Sequence, residues 1–187
     1  MTPELIQQLG DDLFAALRER RTLVPFTNRF SEITVEDAYG ISLQFLNRRV
    51  AAGERVIGKK IGVTSKPVQD MLGVFQPDFG FLTDAMHCAD GATVSLKQTG
   101  LIQPKAEGEI AFMLKADLKG PGITREQVMA ATEWVAPCFE IVDSRIDDWK
   151  IKIQDTVADN ASCGVFVVGQ QHTNPYALDL AAAAMQM

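Results

Sequence analysis

Apolar positions recur at helical spacing over the first fifty residues and alternate with polar ones afterwards. Leu5, Ile6, Leu9, Leu13 and Leu17 form one stripe of a helix that Thr2 can cap and Pro3 can open. A charged stretch from Arg18 to Arg21 precedes the irregular run Val24 to Asn28. A second helix is predicted from Thr34 as N-cap with Asp37 at its third position. Tyr39, Leu43, Leu46 and Val50 make its stripe, and Gly53 is its stop. Residues 1–53 therefore read as a helical region.

Beyond Gly53 the period changes. Arg55 to Val63 reads as a strand, with Val56, Gly58, Lys60 and Gly62 on one face and Ile57, Lys59, Ile61 and Val63 on the other. Ser65 caps a short helix to about Leu72, and Gln76-Pro77-Asp78-Phe79-Gly80 reads as a turn. Glu107 to Leu114 alternates again, and Thr124 with Gln127 makes a capping box for a helix to about Trp134. Cys138 to Val142 and Cys163 to Val168 read as further strands. Leu178 to Met187 has the alanine content of a helix. Helices first and strands later give the α+β class, with no internal repeat.

Composition narrows the functions available. The 187 residues suit one domain, or one domain with a helical extension, and 47% are hydrophobic. A net charge of −6 with no basic stripe argues against a nucleic-acid partner. No apolar run is long enough for a membrane span, and the N-terminus lacks the charged and apolar regions of a signal peptide. Cys88, Cys138 and Cys163 are odd in number and form no CxxC pair, which fits a reducing, cytoplasmic setting. His87 and His172 lie outside any HExxH or serine-elbow context, and no glycine-rich nucleotide motif occurs.

The strongest chemical signal is Glu107-Gly108-Glu109 within an apolar strand. Period-two geometry aims both carboxylates at one face, about 7 Å apart. Glu140 lies in a second apolar strand. Three carboxylates from neighbouring strands would make a hard oxygen site for Mg²⁺ or Mn²⁺, whereas a solvated edge strand would explain the pair equally simply. Lys60 shares its face with Gly58 and Gly62, which leave room for a ligand; a solvent-facing lysine is the alternative. Asp78 reads as a turn-former on spacing alone, with a general base as the other possibility. The polar run Asp155 to Ser162 is either caps and turns or a substrate-lining loop.

Several of these segments, taken in order, carry a resemblance. They are Gly58 to Ser65, Gln76 to Gly80, Gln103 to Phe112, Glu140 to Ile146 and Asp155 to Ser162. Together they resemble the hydratase/decarboxylase branch of the fumarylacetoacetate hydrolase superfamily, in particular its 2-hydroxypenta-2,4-dienoate hydratases. The resemblance implies an N-terminal helical region, residues 1–53, and a metal-binding mixed β-roll, residues 54–187. It also implies that the chain stops before the last strands of that roll, where the family begins a strand rather than a helix.

The resemblance further implies a divalent-metal-dependent hydro-lyase of aromatic meta-cleavage catabolism. Glu107, Glu109 and Glu140 would hold Mg²⁺ or Mn²⁺, and Lys60 and Asp78 would be the catalytic pair. The substrate would be a small 2-oxo or 2-enol carboxylate. The partners would be further copies of the chain and other enzymes of the pathway. A 4-oxalocrotonate decarboxylase is the nearest alternative, and an inactive structural partner of a related enzyme is a second. Acylpyruvate hydrolysis would need a His–Glu pair that neither histidine provides.

Overall fold

Thr2 opens the first helix as the sequence predicts, its hydroxyl accepting from the Leu5 N–H at 3.3 Å. The structure, a computed structural model, describes residues 1–185. Helix α1 (Pro3–Glu19) buries Leu9, Gly10, Leu13 and Ala16. It crosses α3 (Val35–Ala51) so closely that a Cβ at Gly10 would meet the Gln44 side chain at 2.6 Å. Between them lies the single turn α2 (Phe26–Arg29). The capping box at the start of α3 is present: Asp37 N–H donates to the Thr34 hydroxyl and Thr34 N–H to the Asp37 carboxylate, both at 3.0 Å.

The buried stripe of α3 differs from the expected one. Ala38, Ile41, Ser42, Phe45, Leu46 and Arg49 face inward, while Leu43 and Val50 are about half exposed at 50% and 45%. Both stripes satisfy helical spacing. Tertiary contacts decide between them: α1 packs against α3 at Gly40 and Gln44, while Phe45 and Arg49 turn toward Arg145 and Thr83. Leu9, Leu13, Phe26, Ile41 and Phe45 form one hydrophobic cluster with Val63, Ile153 and Val157, so the helical region shares its core with later segments.

Two sheets follow. Strand β1 (Val56–Gly62) pairs antiparallel with β2 (Asp78–Thr83), and α4 (Lys66–Leu72) joins them. The turn expected at Gln76 to Gly80 is therefore in its second half the start of a strand. Pro77 and Gly80 imitate turn chemistry, but β1 supplies a ladder that aligns Lys60 with Gly80 and Gly62 with Asp78.

The second sheet has the order β3-β6-β5-β4. Its strands are β3 (His87–Cys88), β4 (Lys105–Leu114), β5 (Thr132–Val142) and β6 (Cys163–Val168), with β3 parallel to β6 and the other pairings antiparallel. The short helix α5 (Leu96–Thr99) precedes β4, α6 (Arg125–Ala131) precedes β5, and α7 (Ile153–Ala158) precedes β6.

Two boundaries depart from expectation. Helix α6 ends at Ala131 rather than near Trp134, because Thr132, Trp134 and Val135 are strand formers that extend the ladder with β4. No helix forms over residues 178–185. A short alanine-rich segment with no apolar face to bury does not hold a helix on propensity alone. The last two residues of that expected helix lie outside the described residues. Among the described residues, no helix is long and apolar enough to cross a membrane.

Candidate metal centre

Register brings the three glutamates together. Glu107 stands directly opposite Glu140 across β4 and β5, and Glu109 lies two residues further along the same face of β4, opposite Cys138. Each of the three offers a carboxylate oxygen within 4.8 Å of the others. The group runs from open to enclosed: Glu107 is exposed, Glu109 half-buried, and Glu140 only 1% exposed.

Neither oxygen of Glu140 has a hydrogen-bond partner. The nearest positive charge is the Lys60 ammonium, whose Nζ lies 3.4 Å from Oε2. Unpartnered buried carboxylate oxygens are costly, and here they converge with two more carboxylates. That donor set, all hard oxygen, fits a divalent cation such as Mg²⁺ or Mn²⁺.

Lys60 and Lys59 part company at β1. Lys59 turns outward over the rings of Phe79 and Phe81, at 5.2 and 5.4 Å from their centroids. Lys60 is buried and donates to the Ala161 carbonyl at 3.0 Å. Asp78, at the head of β2, is also buried and leaves Oδ1 without a partner. A Cβ at Gly62 would collide with the Asp78 carboxylate and approach Lys60 Nζ to 3.1 Å. The glycine thus leaves the space over which the acid and the ammonium lean.

Four carboxylates face one ammonium, and the protonation equilibria follow from that imbalance. Burial, then the charge of Glu140, pushes Glu109 up to about 7 against the opposing pull of Lys60. Burial likewise raises Glu140 and Asp78, again opposed by Lys60. Burial works to discharge Lys60. The charges of Glu140, Cys163, Asp78 and Glu109 outweigh it and hold the ammonium above its ordinary range. Glu109 and Cys138 also open on a cavity of about 620 Å³ whose wall includes Pro137, Phe139 and Gly169, room enough for a small carboxylate.

All five residues singled out by sequence thus gather around one space. Of the two readings of the run Asp155 to Ser162, the structure shows caps and turns, with the Asp155 carboxylate accepting from Lys152 N–H at 3.0 Å at the start of α7. The run folds as α7 and a buried turn, and Asp155 in it accepts from Thr27 N–H at 3.1 Å and from the Thr27 hydroxyl at 2.7 Å. Sequence reasoning missed the Ala161 carbonyl, since a backbone acceptor leaves no residue signature.

No protein-family profile matches the chain. Over 184 residues it is 75% identical to a 2-hydroxyhexa-2,4-dienoate hydratase of Comamonas testosteroni, covering 98% of this chain and 70% of that protein. Over 185 residues it is 63% identical to a 2-hydroxypent-2,4-dienoate hydratase of Pseudomonas putida, covering 99% and 83%. Among solved structures, it superimposes on 4-oxalocrotonate decarboxylase from Pseudomonas putida G7 complexed with magnesium and adipate. That match has a TM-score of 0.91 and 35% identity, and covers 96% of this chain and 68% of that one. A second structure of the decarboxylase, complexed with calcium and acetate, gives 0.89 and 34%.

Proposed function

The chain belongs to the 2-hydroxypenta-2,4-dienoate (2-keto-4-pentenoate) hydratase family, and from that premise we propose how its own residues carry out the hydration. It is an enzyme, a hydro-lyase, whose reaction is the addition of water to 2-hydroxypenta-2,4-dienoate to give 4-hydroxy-2-oxopentanoate. We place that step in the meta-cleavage breakdown of aromatic compounds.

The observation that supports the site assignment is the convergence of Glu107, Glu109 and Glu140 beside the buried ammonium of Lys60. A divalent cation held by the three glutamates, Mg²⁺ or Mn²⁺, would supply Lewis acidity toward the 2-oxo-acid end of the substrate. Lys60 faces the same end, and its ammonium opposes the negative charge that develops at the C2 oxygen as the 2-hydroxyl proton leaves. A proton gained at C5 leaves a C3=C4 double bond conjugated with the C2 ketone. The oxygen of water then bonds to C4, and C3 takes a proton. Asp78 is the group placed to take the proton from water and return one to carbon: it is buried, and Oδ1 is free of other partners.

Decarboxylation of 4-oxalocrotonate is the second reading, favoured by the superposition on that decarboxylase at a TM-score of 0.91. Identity of 75% and 63% to hydratases, against 35% to the decarboxylase, supports hydration instead. Incubating the full chain and Mn²⁺ with the mono- and dicarboxylate dienols separates the two. Hydration predicts loss of the monocarboxylate without CO₂, and release of CO₂ from the dicarboxylate alone would overturn it. The same reading makes the enzyme a homo-oligomer, for which Ile57, Ile61, Met71 and Phe75 supply exposed apolar surface.

A further inference from the structure

Three consecutive residues, Asn160, Ala161 and Ser162, sit in the left-handed region with φ of 56°, 51° and 53°. Asparagine tolerates that conformation, whereas alanine and serine do so only against a steric penalty. A run of three persists only where its surroundings over-determine it, and such places concentrate at functional sites.

The surroundings do so here. The Arg145 guanidinium straddles the turn, donating to the Asp159 carbonyl before it at 2.8 Å and to the Cys163 carbonyl after it at 3.0 Å. Asp143 N–H donates to the Ser162 carbonyl at 2.7 Å, and the Ser162 and Thr156 hydroxyls are 3.0 Å apart. The Asn160 side chain accepts from Phe81 N–H at 2.7 Å and donates to the Phe81 carbonyl at 2.9 Å, which fastens the turn to β2. Gly80 permits that approach, since a Cβ there would lie 2.5 Å from the Asn160 carbonyl oxygen. The Asn160 carbonyl accepts from Cys163 N–H, and the Ala161 carbonyl receives Lys60 Nζ. All three residues of the turn are 3% exposed.

We propose that this left-handed turn is the positioning element for Lys60, and that Asn160 is the positioning residue that registers it against the strand bearing Asp78. Asn160 does not touch the reacting atoms. It fixes the Ala161 carbonyl as an acceptor at one place, so the ammonium is aimed at the site and held at a set distance from Asp78. The inference rests on the assignment of Lys60 to the reaction, and its test separates the two.

The test uses the full chain with Asn160→Gly, which keeps the backbone conformation open to the turn and removes only the clamp. Acetic anhydride labelling followed by peptide mass spectrometry reads Lys60 directly, with the exposed Lys59 beside it as internal control. The expected result is a several-fold faster labelling of Lys60 with Lys59 unchanged. Turnover should fall with it, kcat roughly tenfold or more, with KM and Mn²⁺ affinity within about threefold. Asn160→Asp retains the bond from Phe81 N–H and should recover part of the loss. Asn160→Ala, which removes both bonds to Phe81, carries the test by the same criteria if the glycine variant does not fold. Unchanged Lys60 labelling, unchanged kcat, or a loss of Mn²⁺ affinity in step with kcat would each overturn the proposal. Full activity of Lys60→Met would instead sink the assignment of Lys60, whatever the labelling shows.

Discussion

Lys60 Nζ lies 3.4 Å from Glu140 Oε2, and both side chains are almost wholly buried. The contact joins the two-stranded sheet to the four-stranded one through opposite charges. It is a poor stabiliser on its own terms, since burying two charges costs much of what their attraction returns. Its location beside two more carboxylates gives it a functional meaning.

Replacing Lys60 by methionine removes the ammonium and keeps the volume of the side chain. Turnover should fall by about 10²-fold or more, the scale of a lost charge-stabilising group. Mn²⁺ affinity should hold or rise, because the competing positive charge is gone. Parallel steady-state kinetics and Mn²⁺ titration check both directions. A variant that lost metal binding in proportion to activity would show Lys60 to be a support for the glutamates instead.

Asp78→Asn changes one charge and almost no volume. Activity should drop by about 10²- to 10⁴-fold, as for a lost proton-transfer group. Thermal stability should stay level or rise, since the carboxylate is buried and Oδ1 has no partner. Kinetics together with a melting curve read the two effects on one sample.

Gly62→Ala places a methyl where the Asp78 carboxylate now sits and close to Lys60 Nζ. Overpacking of this kind costs about 1–3 kcal/mol. That loss should appear in denaturant titration together with a fall in kcat and an unchanged Mn²⁺ affinity, since the atoms the methyl meets belong to Asp78 and Lys60 and to none of the three glutamates.

Stability against acid has an identifiable contributor at the start of α3. The Met1 ammonium and then the backbone N–H of Thr34 hold the Asp37 carboxylate down at about 2. A depressed carboxylate adds stability above its unfolded pKa and loses it as pH falls through the folded value. The contribution is therefore complete near neutrality and fades between about pH 4 and pH 2. Asp37→Asn should cost about 1 kcal/mol at pH 7, the scale of a lost helix cap at a solvent-facing position. The cost should shrink as pH falls toward 2 and disappear below it. Denaturant titrations of both proteins across that range measure it.

Much of the site was legible in local sequence. Alternation in β4 put Glu107 and Glu109 on one face, and the glycines flanking Lys60 singled it out from Lys59. The meeting of Glu140 with the other two was not legible from spacing. It depends on the register of β4 against β5, a pairing between segments separated by a helix and a loop. Asp78 was misread locally because proline and glycine beside it resemble turn chemistry, and only its partner strand reveals the ladder. The inward face of α3 was hidden for a similar reason: two stripes fit the helical period, and the choice is made by what α3 packs against, α1 on one side and Arg145 on the other. The left-handed turn at Asn160 was beyond reach, since alanine and serine carry no preference for it and a network around Arg145 imposes it.

Whether Glu107, Glu109 and Glu140 hold one divalent cation is read by Mn²⁺ titration of the 187-residue chain followed by electron paramagnetic resonance. One Mn²⁺ should bind per chain, with affinity reduced about a hundredfold or more in each of Glu107→Gln, Glu109→Gln and Glu140→Gln. Full Mn²⁺ affinity in all three variants, or a folded parent chain that binds no Mn²⁺, would contradict a site built from these glutamates.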